Sequence, residues 1–402
     1  MELRWNKLTA YFQQLAHGNT EPISAYVYDL EALRLHATHI VNSLPPAYEL
    51  FYAIKANSDL PILETLAPIV HGFEVSSGGE LSWVRQHFPQ QDVIFSGPGK
   101  TDRELLLAVK SNAGAIHVES MGELQRLGLI AEGEKRVVSI LLRINLQLQN
   151  LSSTSLMMGG GPTPFGIAAD QLPDCIEWLR SHPELNMQGF HLHLLSHQLN
   201  AVAHLEILEA YLLQARQWAR YYDIAIDHIN VGGGIGINYR EPDKQFDWAL
   251  FGAGLRSLAD LYADGPRIRF ECGRYITAAC GYYAMQVIDI KQAFGKTYLV
   301  ARGGTHQFRT PYAQGHSHPF RVMAVEHWPY SFTRPQIEGL PVTIVGQLCT
   351  PKDVLAYDAE IERVRSNDLV VFPYAGAYAW HISHHDFLRH PHPEHHYLPI
   401  EA

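Results

Sequence analysis

Cysteine is scarce in this chain: there are four among 402 residues, at positions 175, 272, 280 and 349. Their spacing matches neither a disulfide framework nor a paired-cysteine metal site, so reduced thiols in a cytoplasmic protein are expected. Excess positive charge is also missing. The 31 Lys+Arg stand against 41 Asp+Glu, a formal net charge of −10, which argues against nucleic acid as a main partner. No stretch of about 18 apolar residues occurs, so no helical membrane span is expected. The opening segment, MELRWNKLTAYFQQLAHGNTEP, lacks the apolar core of a secretory signal.

What the chain does contain is alternation. Residues 1–20 read as a helix, SAYVYDL (24–30) as a strand, and EALRLHATHIVNSL as a helix ended by Pro45 and Pro46. Eight apolar strand candidates follow: YELFYAIKA (48–56), HGFEVSS (71–77), DVIFSG (92–97), AIHVES (115–120), VSILLRINL (138–146), GFHLHLL (189–195), DHINVGG (227–233) and IRFECGR (268–274). Amphipathic helical segments separate most of them, including GELSWVRQHF, TDRELLLAVKS and HLEILEAYLLQARQWARYYD. Strands alternating with helices imply a parallel sheet. Eight in about 230 residues match a closed (β/α)8 TIM-type barrel. After Arg274 the helical signals nearly vanish, and YYAMQVIDIKQAFGKTYLVARGG reads as strands with a turn at Phe294-Gly295. The expected organisation is an N-terminal helix and strand over 1–30, the strand joining a β domain, a barrel over 31–275, and a C-terminal β-rich domain over 276–402. The Gly/Ser-rich QLQNLSSTSLMMGGGPTPFGI after the fifth strand is expected to be a mobile loop.

In such a barrel the site forms at the C-terminal ends of the strands, and those ends are polar. FYAIKAN (51–57) rises through apolar residues to Lys55. Lysine is among the residues least often buried, so its position needs a reason. Either it reaches out to solvent or it is a nucleophilic amine that forms a Schiff base with a carbonyl. The fifth strand end carries Arg143, the sixth His191, His193 and Ser196, and the eighth Glu271 and Arg274. The seventh runs into the glycine turn VGGGIGIN, whose amides can cradle a phosphate. It is not a Rossmann fingerprint, because Ile237 stands where the last glycine belongs. A turn that merely needs positive φ is the plainer reading.

His193 is a core histidine or a flat ring for stacking on an aromatic cofactor. Glu271 pairs with Arg274 or holds a protonated pyridine nitrogen. Cys349, in GQLCTPKD, is an inert thiol or an exposed proton donor. The tail HISHHDFLRHPHPEHHY fits no specific metal motif, and Pro391 and Pro393 interrupt any helical face.

Taken together, these motifs resemble the fold-type III pyridoxal-phosphate decarboxylases, the group of the diaminopimelate, ornithine and arginine decarboxylases, whose barrel is of the alanine racemase-like class. The likeness runs from about Ser24 to Phe387. FYAIKAN looks like that family's cofactor-lysine motif, GFHLHLLSHQ its stacking-histidine motif and NVGGGIG its glycine loop. FECGRYI looks like its Glu-Pro-Gly-Arg motif, with Cys272 in place of proline. GQLCTPKDVLA looks like its interface cysteine motif and YAGAYAW its phosphate-contacting tyrosine motif. The resemblance implies that Lys55 carries the cofactor as a Schiff base and that His193 stacks on its ring. Glu271 keeps the ring nitrogen protonated. Ser196, Gly233, Gly234, Arg274 and Tyr378 hold the phosphate, and Gly273 is a further cofactor-binding residue. Cys349 and Asp353 are implied to come from the second subunit of a homodimer, with Cys349 protonating the carbon that has lost CO₂. An alanine-racemase-like enzyme usually places arginine at the position of Glu271, which speaks for decarboxylation.

The segment GGTHQFRTPYAQGHSHPF and the histidine tail look like the decarboxylases of carboxylate-siderophore pathways, which act on an amino acid joined to citrate or on a related polycarboxylate. Arg143, His306, Arg309 and His381, with Cys349, Asp353 and Tyr378, are the substrate-binding candidates, the cations for an anionic substrate. Diaminopimelate or another basic amino acid is the alternative substrate, and an inactive cofactor-binding relative the alternative class.

Overall fold

The computed structural model describes residues 2–18, 21–148 and 156–400. The chain divides into two compact units, one of Arg34–Ile237 and Gln245–Ile276, the other of Met1–Leu33, Asn238–Lys244 and Thr277–Ala402.

The first unit is a closed barrel. Ala115–Val118, Asp92–Phe95, Gly72–Val75, Tyr48–Ala53, Arg267–Cys272, His228–Asn230, Leu185–His191 and Val138–Asn145 lie side by side in that order, and the last pairs back onto the first. Every one of these pairings is parallel. This is the (β/α)8 architecture, and its strands are the eight apolar runs of the sequence. Parallel strands need crossover connections, supplied here by helices such as Gly78–His87, Asp102–Lys110, Met121–Glu134, Ala201–Tyr222 and Trp248–Leu261. Strands covered on both faces read as continuous apolar runs; Tyr48–Ala53 is buried throughout.

Short polar side chains start the helices directly after the strand ends. Ser77 and Ser120 accept from the backbone N–H of Glu80 and Glu123. Thr101 and Glu104 form a reciprocal capping box on Asp102–Lys110. Such caps are each worth about 1 kcal/mol, and they fix the strand-to-helix turns that carry the site. Residues 149–155 of the loop expected after the fifth strand lie outside the described residues. Its later part pairs Leu156–Met157 antiparallel with Leu195–Ser196.

In the second unit, Arg321–Met323, Leu369–Phe372, Gly281–Ala293, Lys296–Ala301, Gln336–Val345 and Val354–Arg365 follow one another across a sheet. Ser24–Asp29 pairs antiparallel with Gly281–Ala293 and parallel with Glu394–Leu398. The helix Glu2–Gly18 sets Leu8, Phe12 and Ala16 four residues apart on one face. They pack with Ile23, Val27, Ala284, Leu369 and Val371. Burying a leucine or phenylalanine in this way is worth roughly 1.5–3 kcal/mol.

Candidate active site

Lys55 sits on a single 3-10 turn, Ile54–Ala56, immediately after the Tyr48–Ala53 strand. Ile54 and Ala56 are buried on either side of it, so the turn is rigid while the lysine side chain stays 42% exposed. The amine does not simply reach for water. Its Nζ donates to both carboxylate oxygens of Glu74, at 2.9 and 2.8 Å, and to Ser76 Oγ at 3.2 Å. Ser76 Oγ in turn donates to Glu74 Oε1 at 2.8 Å. The Glu74 side chain is completely buried, so the fold has placed a carboxylate in the adjacent strand to meet this one cation.

Glu271 is buried near the end of the Arg267–Cys272 strand. Asn230 Nδ2 donates to its Oε1 at 2.8 Å. His117 Nδ1 lies 3.4 Å from Oε1 and His191 Nε2 lies 3.5 Å from Oε2. Burial, reinforced by repulsion from Glu74, pushes the carboxyl up to about 8, against the pull of Lys55, Arg143 and Asn230. The group therefore holds a proton near neutrality.

The glycine turn packs against the other candidates. Gly232 has φ +67°, and a Cβ there would overlap the His193 imidazole. A Cβ on Gly233 would run into the backbone oxygen of Glu271. Gly234 has φ +78°, and a Cβ would come 2.7 Å from Leu195 O. Positive φ and close approach thus both demand glycine here. Backbone bonds from Gln198 N to Gly234 O (2.8 Å) and from Gly236 N to Gln198 O (2.9 Å) tie the turn to the segment after Ser196. His193 is half-buried, its plane 13° from that of His191. Burial, then the charges of Arg143 and Lys55, hold its pKa well below the ordinary histidine value, so the ring is neutral.

Ser196 is half-buried, and half-buried Arg274 opens the short helix Arg274–Thr277. Burial and the neighbouring Arg274 lower the His197 ring to about 4. Gly273 lets this turn press on the lysine turn, since a Cβ there would lie 2.9 Å from Ala56 Cβ. Arg143 is buried, its Nη1 2.8 Å from Glu119 Oε1 and its guanidinium 4.8 Å over the Phe165 ring. Cys272 is a buried thiol pushed up to about 12, chiefly by burial, and is not a nucleophile.

The remaining candidates lie in the second unit. Cys349 is exposed. Asp353 is buried and engaged: Oδ1 accepts from Thr305 N (2.6 Å) and Thr305 Oγ1 (2.8 Å), and Oδ2 from Leu348 N (2.9 Å). Its carboxylate ties the turn at Thr305 to the one that carries Cys349. Tyr378 has φ +50°, and its carbonyl accepts from Thr310 Oγ1 at 2.5 Å. His306 is fully buried, with both ring nitrogens lacking a hydrogen-bond partner, 5.3 Å ring to ring from His390. Burial first, then His390, His384, Arg302 and His385, lower it to about 4. Arg309 is exposed, and its backbone N–H donates to Ser383 Oγ at 3.1 Å. His381 sits partly exposed on the Trp380–Ile382 turn.

Glu74, Asn230 and His117 were not among the sequence candidates. A signal for two of them existed: a carboxylate inside GFEV and an imidazole inside AIHV, in strands otherwise apolar and buried throughout.

An amine on a rigid turn suits an aldehyde. A carboxyl that keeps a proton near neutrality suits a pyridine nitrogen, and a neutral flat ring suits stacking. A cationic Arg274 beside a glycine turn suits a phosphate. The donor set therefore fits pyridoxal phosphate, and a barrel so equipped defines a pyridoxal-phosphate enzyme. The family description "Pyridoxal-dependent decarboxylase, pyridoxal binding domain" matches residues 30–278. A Staphylococcus aureus protein named 2-[(L-alanin-3-ylcarbamoyl)methyl]-2-hydroxybutanedioate decarboxylase is 44% identical over 95% of this chain and 95% of its own length. The L-glutamyl-[BtrI acyl-carrier protein] decarboxylase of Niallia circulans is 30% identical over 92% of this chain and 87% of its own. Among solved structures, the diaminopimelate decarboxylase of Helicobacter pylori complexed with L-lysine superposes with a TM-score of 0.83 at 24% identity, covering 97% of this chain and 94% of that one. The chain belongs to the pyridoxal-dependent decarboxylases. It is a carboxy-lyase whose cofactor is pyridoxal phosphate. Among the described residues no helix is long and apolar enough to cross a membrane.

Proposed function

We propose that the protein decarboxylates an amino acid joined through an amide to a citrate-like polycarboxylate, in siderophore biosynthesis, as a homodimer in the cytoplasm. The observation that carries this reading is the 44% identity to the staphylococcal enzyme along 95% of both chains. The substrate in that enzyme's name is a citrate skeleton bearing an amide, whose nitrogen is attached to C3 of alanine. Its reacting end is an α-amino carboxylate and its other end is polyanionic.

Bound pyridoxal phosphate supplies an electron-accepting ring for the pair left behind when CO₂ departs. The chain's residues do the rest. Lys55 would hold the cofactor through its amine, with Glu74 and Ser76 orienting Nζ and compensating its charge. Glu271 would face the ring nitrogen, and Asn230 would keep the carboxyl in place. His193 would stack on the ring, while Ser196, Gly233, Gly234, Arg274 and Tyr378 would receive the phosphate. Cys349 of one subunit would deliver a proton to the decarboxylated carbon in the other subunit's site, with Asp353 fixing the turn that carries it. Arg309 would meet a substrate carboxylate as a cationic donor, and His306, a neutral ring, and His381 would add hydrogen bonds. Arg143, engaged by Glu119, would add positive charge.

A second reading is decarboxylation of diaminopimelate, supported by 30% identity to the diaminopimelate decarboxylase of Vibrio cholerae over 89% of this chain. Measuring CO₂ release from citryl-diaminopropionate, meso-diaminopimelate, lysine, ornithine and arginine separates the two. Turnover of the citryl conjugate well above the others is expected. Preference for diaminopimelate would replace the first reading with the second. A Lys55→Ala variant is expected to be colourless and inactive. Retention of a borohydride-reducible chromophore in it would show that another lysine holds the cofactor.

A further inference from the structure

Glu271 stands between two buried imidazoles to which the proposed reaction assigns no task. His117 is on the Ala115–Val118 strand and His191 ends the Leu185–His191 strand; their exposures are 0% and 1%. Their rings are 4.4 Å apart, centroid to centroid. His117 Nδ1 is 3.4 Å from Glu271 Oε1 and 3.0 Å from Ser96 Oγ, and His191 Nε2 is 3.5 Å from Glu271 Oε2. His117 Nε2 and both nitrogens of His191 have no hydrogen-bond partner. An unmet buried polar group costs about 1–3 kcal/mol, which leucine or phenylalanine at these positions would avoid.

The two imidazoles and Glu271 bring ligand atoms within 4.8 Å of one another, a donor set that could take a metal. The surroundings oppose a dication. Lys100, Arg143, Arg269 and Lys55 all act on His117, and Arg143 and Lys55 also act on His191. Burial and these cations keep both rings neutral. Each therefore presents Glu271 with a dipole rather than a charge. The useful tautomers carry N–H at Nδ1 of His117 and at Nε2 of His191. The contacts of 3.4 and 3.5 Å are longer than formed hydrogen bonds. Ionisation of Glu271 would draw them in, as such bonds tighten on forming the working complex.

We infer that His117, through Nδ1, and His191, through Nε2, are positioning residues that each hold one oxygen of Glu271 and thereby set how readily Glu271 gives its proton to the cofactor's ring nitrogen. This rests on the reading of Glu271 as that nitrogen's partner. In the cofactor-free protein near neutrality the carboxyl carries the proton. A ring nitrogen that arrives unprotonated would take that proton and leave a carboxylate, with none drawn from water, whereas one already protonated in solution would send the carboxyl's proton to water. At higher pH the carboxylate is already ionised, and the nitrogen takes its proton from solvent. The other groups acting on Glu271 are Glu74, Lys55 and Arg143, with His193 beyond His191.

The test is calorimetry of pyridoxal phosphate binding to the full-length cofactor-free protein, in buffers of different ionisation enthalpy, across pH. It counts protons taken up, and a Glu271→Gln variant supplies the background from Lys55 and from the cofactor's own titration. The Glu271 component should appear as a rise in uptake with pH. His117→Leu and His191→Leu should each move its midpoint up by about one pH unit, the worth of one bond to a charged group. The conservative variants discriminate by atom. His117→Asn returns a nitrogen near Nδ1 and His191→Gln near Nε2, so these restore the midpoint, while His117→Gln and His191→Asn do not. Should the leucine variants fail to fold, the amide pairs carry the test. An unchanged uptake profile in Glu271→Gln would remove the Glu271 reading itself. Loss of the profile in Glu271→Gln, with the midpoint unmoved in every histidine variant, would overturn the inference and leave the Glu271 reading standing.

Discussion

Adding one methyl group at Gly232 puts two costs on a single atom. The backbone there has φ +67°, where a residue with a Cβ loses about 1–2 kcal/mol. The new Cβ would also sit 2.8 Å from His193 Cβ and overlap the imidazole ring. Relieving such overpacking costs typically about 1–3 kcal/mol. Gly232→Ala should therefore destabilise the cofactor-free protein by about 2–5 kcal/mol. Two other glycines separate the contributions. Gly295 has φ +77° but nothing within 4 Å of its would-be Cβ, so Gly295→Ala isolates the backbone cost at about 1–2 kcal/mol. Gly233 has no positive φ, yet its Cβ would collide with Glu271 O, so Gly233→Ala isolates crowding. Urea unfolding with a common m-value ranks the three. Because the imidazole must move to admit the methyl, Gly232→Ala should also weaken pyridoxal phosphate binding by about tenfold, the worth of a lost ring stack. If Gly232→Ala cost no more than Gly295→Ala and bound cofactor at wild-type affinity, the glycine would serve only its own φ. The contact with His193 would then carry no function.

Glu271 holds its proton to a pH of about 8, against an ordinary value of 4.5. The folded state thus binds more protons than the unfolded chain in between, and stability is fully present below the ordinary value and lost as pH rises through the folded one. Relative to Glu271→Gln, the cofactor-free wild type should lose about 2–3 kcal/mol between pH 5 and 7; parallel stability curves in urea would refute the burial argument. Lys100 and Glu123 form an ion pair 2.7 Å long with side chains only 1% and 2% exposed. Glu123→Gln should cost about 3–5 kcal/mol, and Lys100→Met with Glu123→Leu should recover most of that; a double variant no better than the single one in urea unfolding would count against this. Mixing Lys55→Ala and Cys349→Ala chains should restore part of the CO₂ release if sites are shared between subunits. Verified mixed dimers with no recovery would show that they are not.

The barrel was legible because its signals are local. A run such as VSILLRINL is apolar throughout because both faces of a parallel strand are covered, and helix caps such as Thr101 with Glu104 declare themselves three residues apart. Lys55, the glycine turn and Glu271 were visible for a related reason, as polar or backbone-permissive residues set at the ends of apolar runs. The partners of those residues were not. Glu74 meets Lys55 because Phe51 lies opposite Gly72 in the barrel register, a pairing that no periodicity within either strand contains. Asn230 and His117 reach Glu271 from different strands, and only closure of the barrel places all three together.

Asp353 shows the same limit. In the sequence it is a carboxylate four residues after Cys349. In the fold its oxygens are taken by Thr305 and Leu348, which binds one turn to another across a long stretch of chain. The amino-acid sequence alone determined which chemical groups the protein possesses and which elements carry them, since side-chain period and turn chemistry act over a few residues. The tertiary structure decided what each group faces. That depends on strand register and closure, which give Lys55 a counter-charge and, by burying Glu271 beside Glu74, leave it a proton.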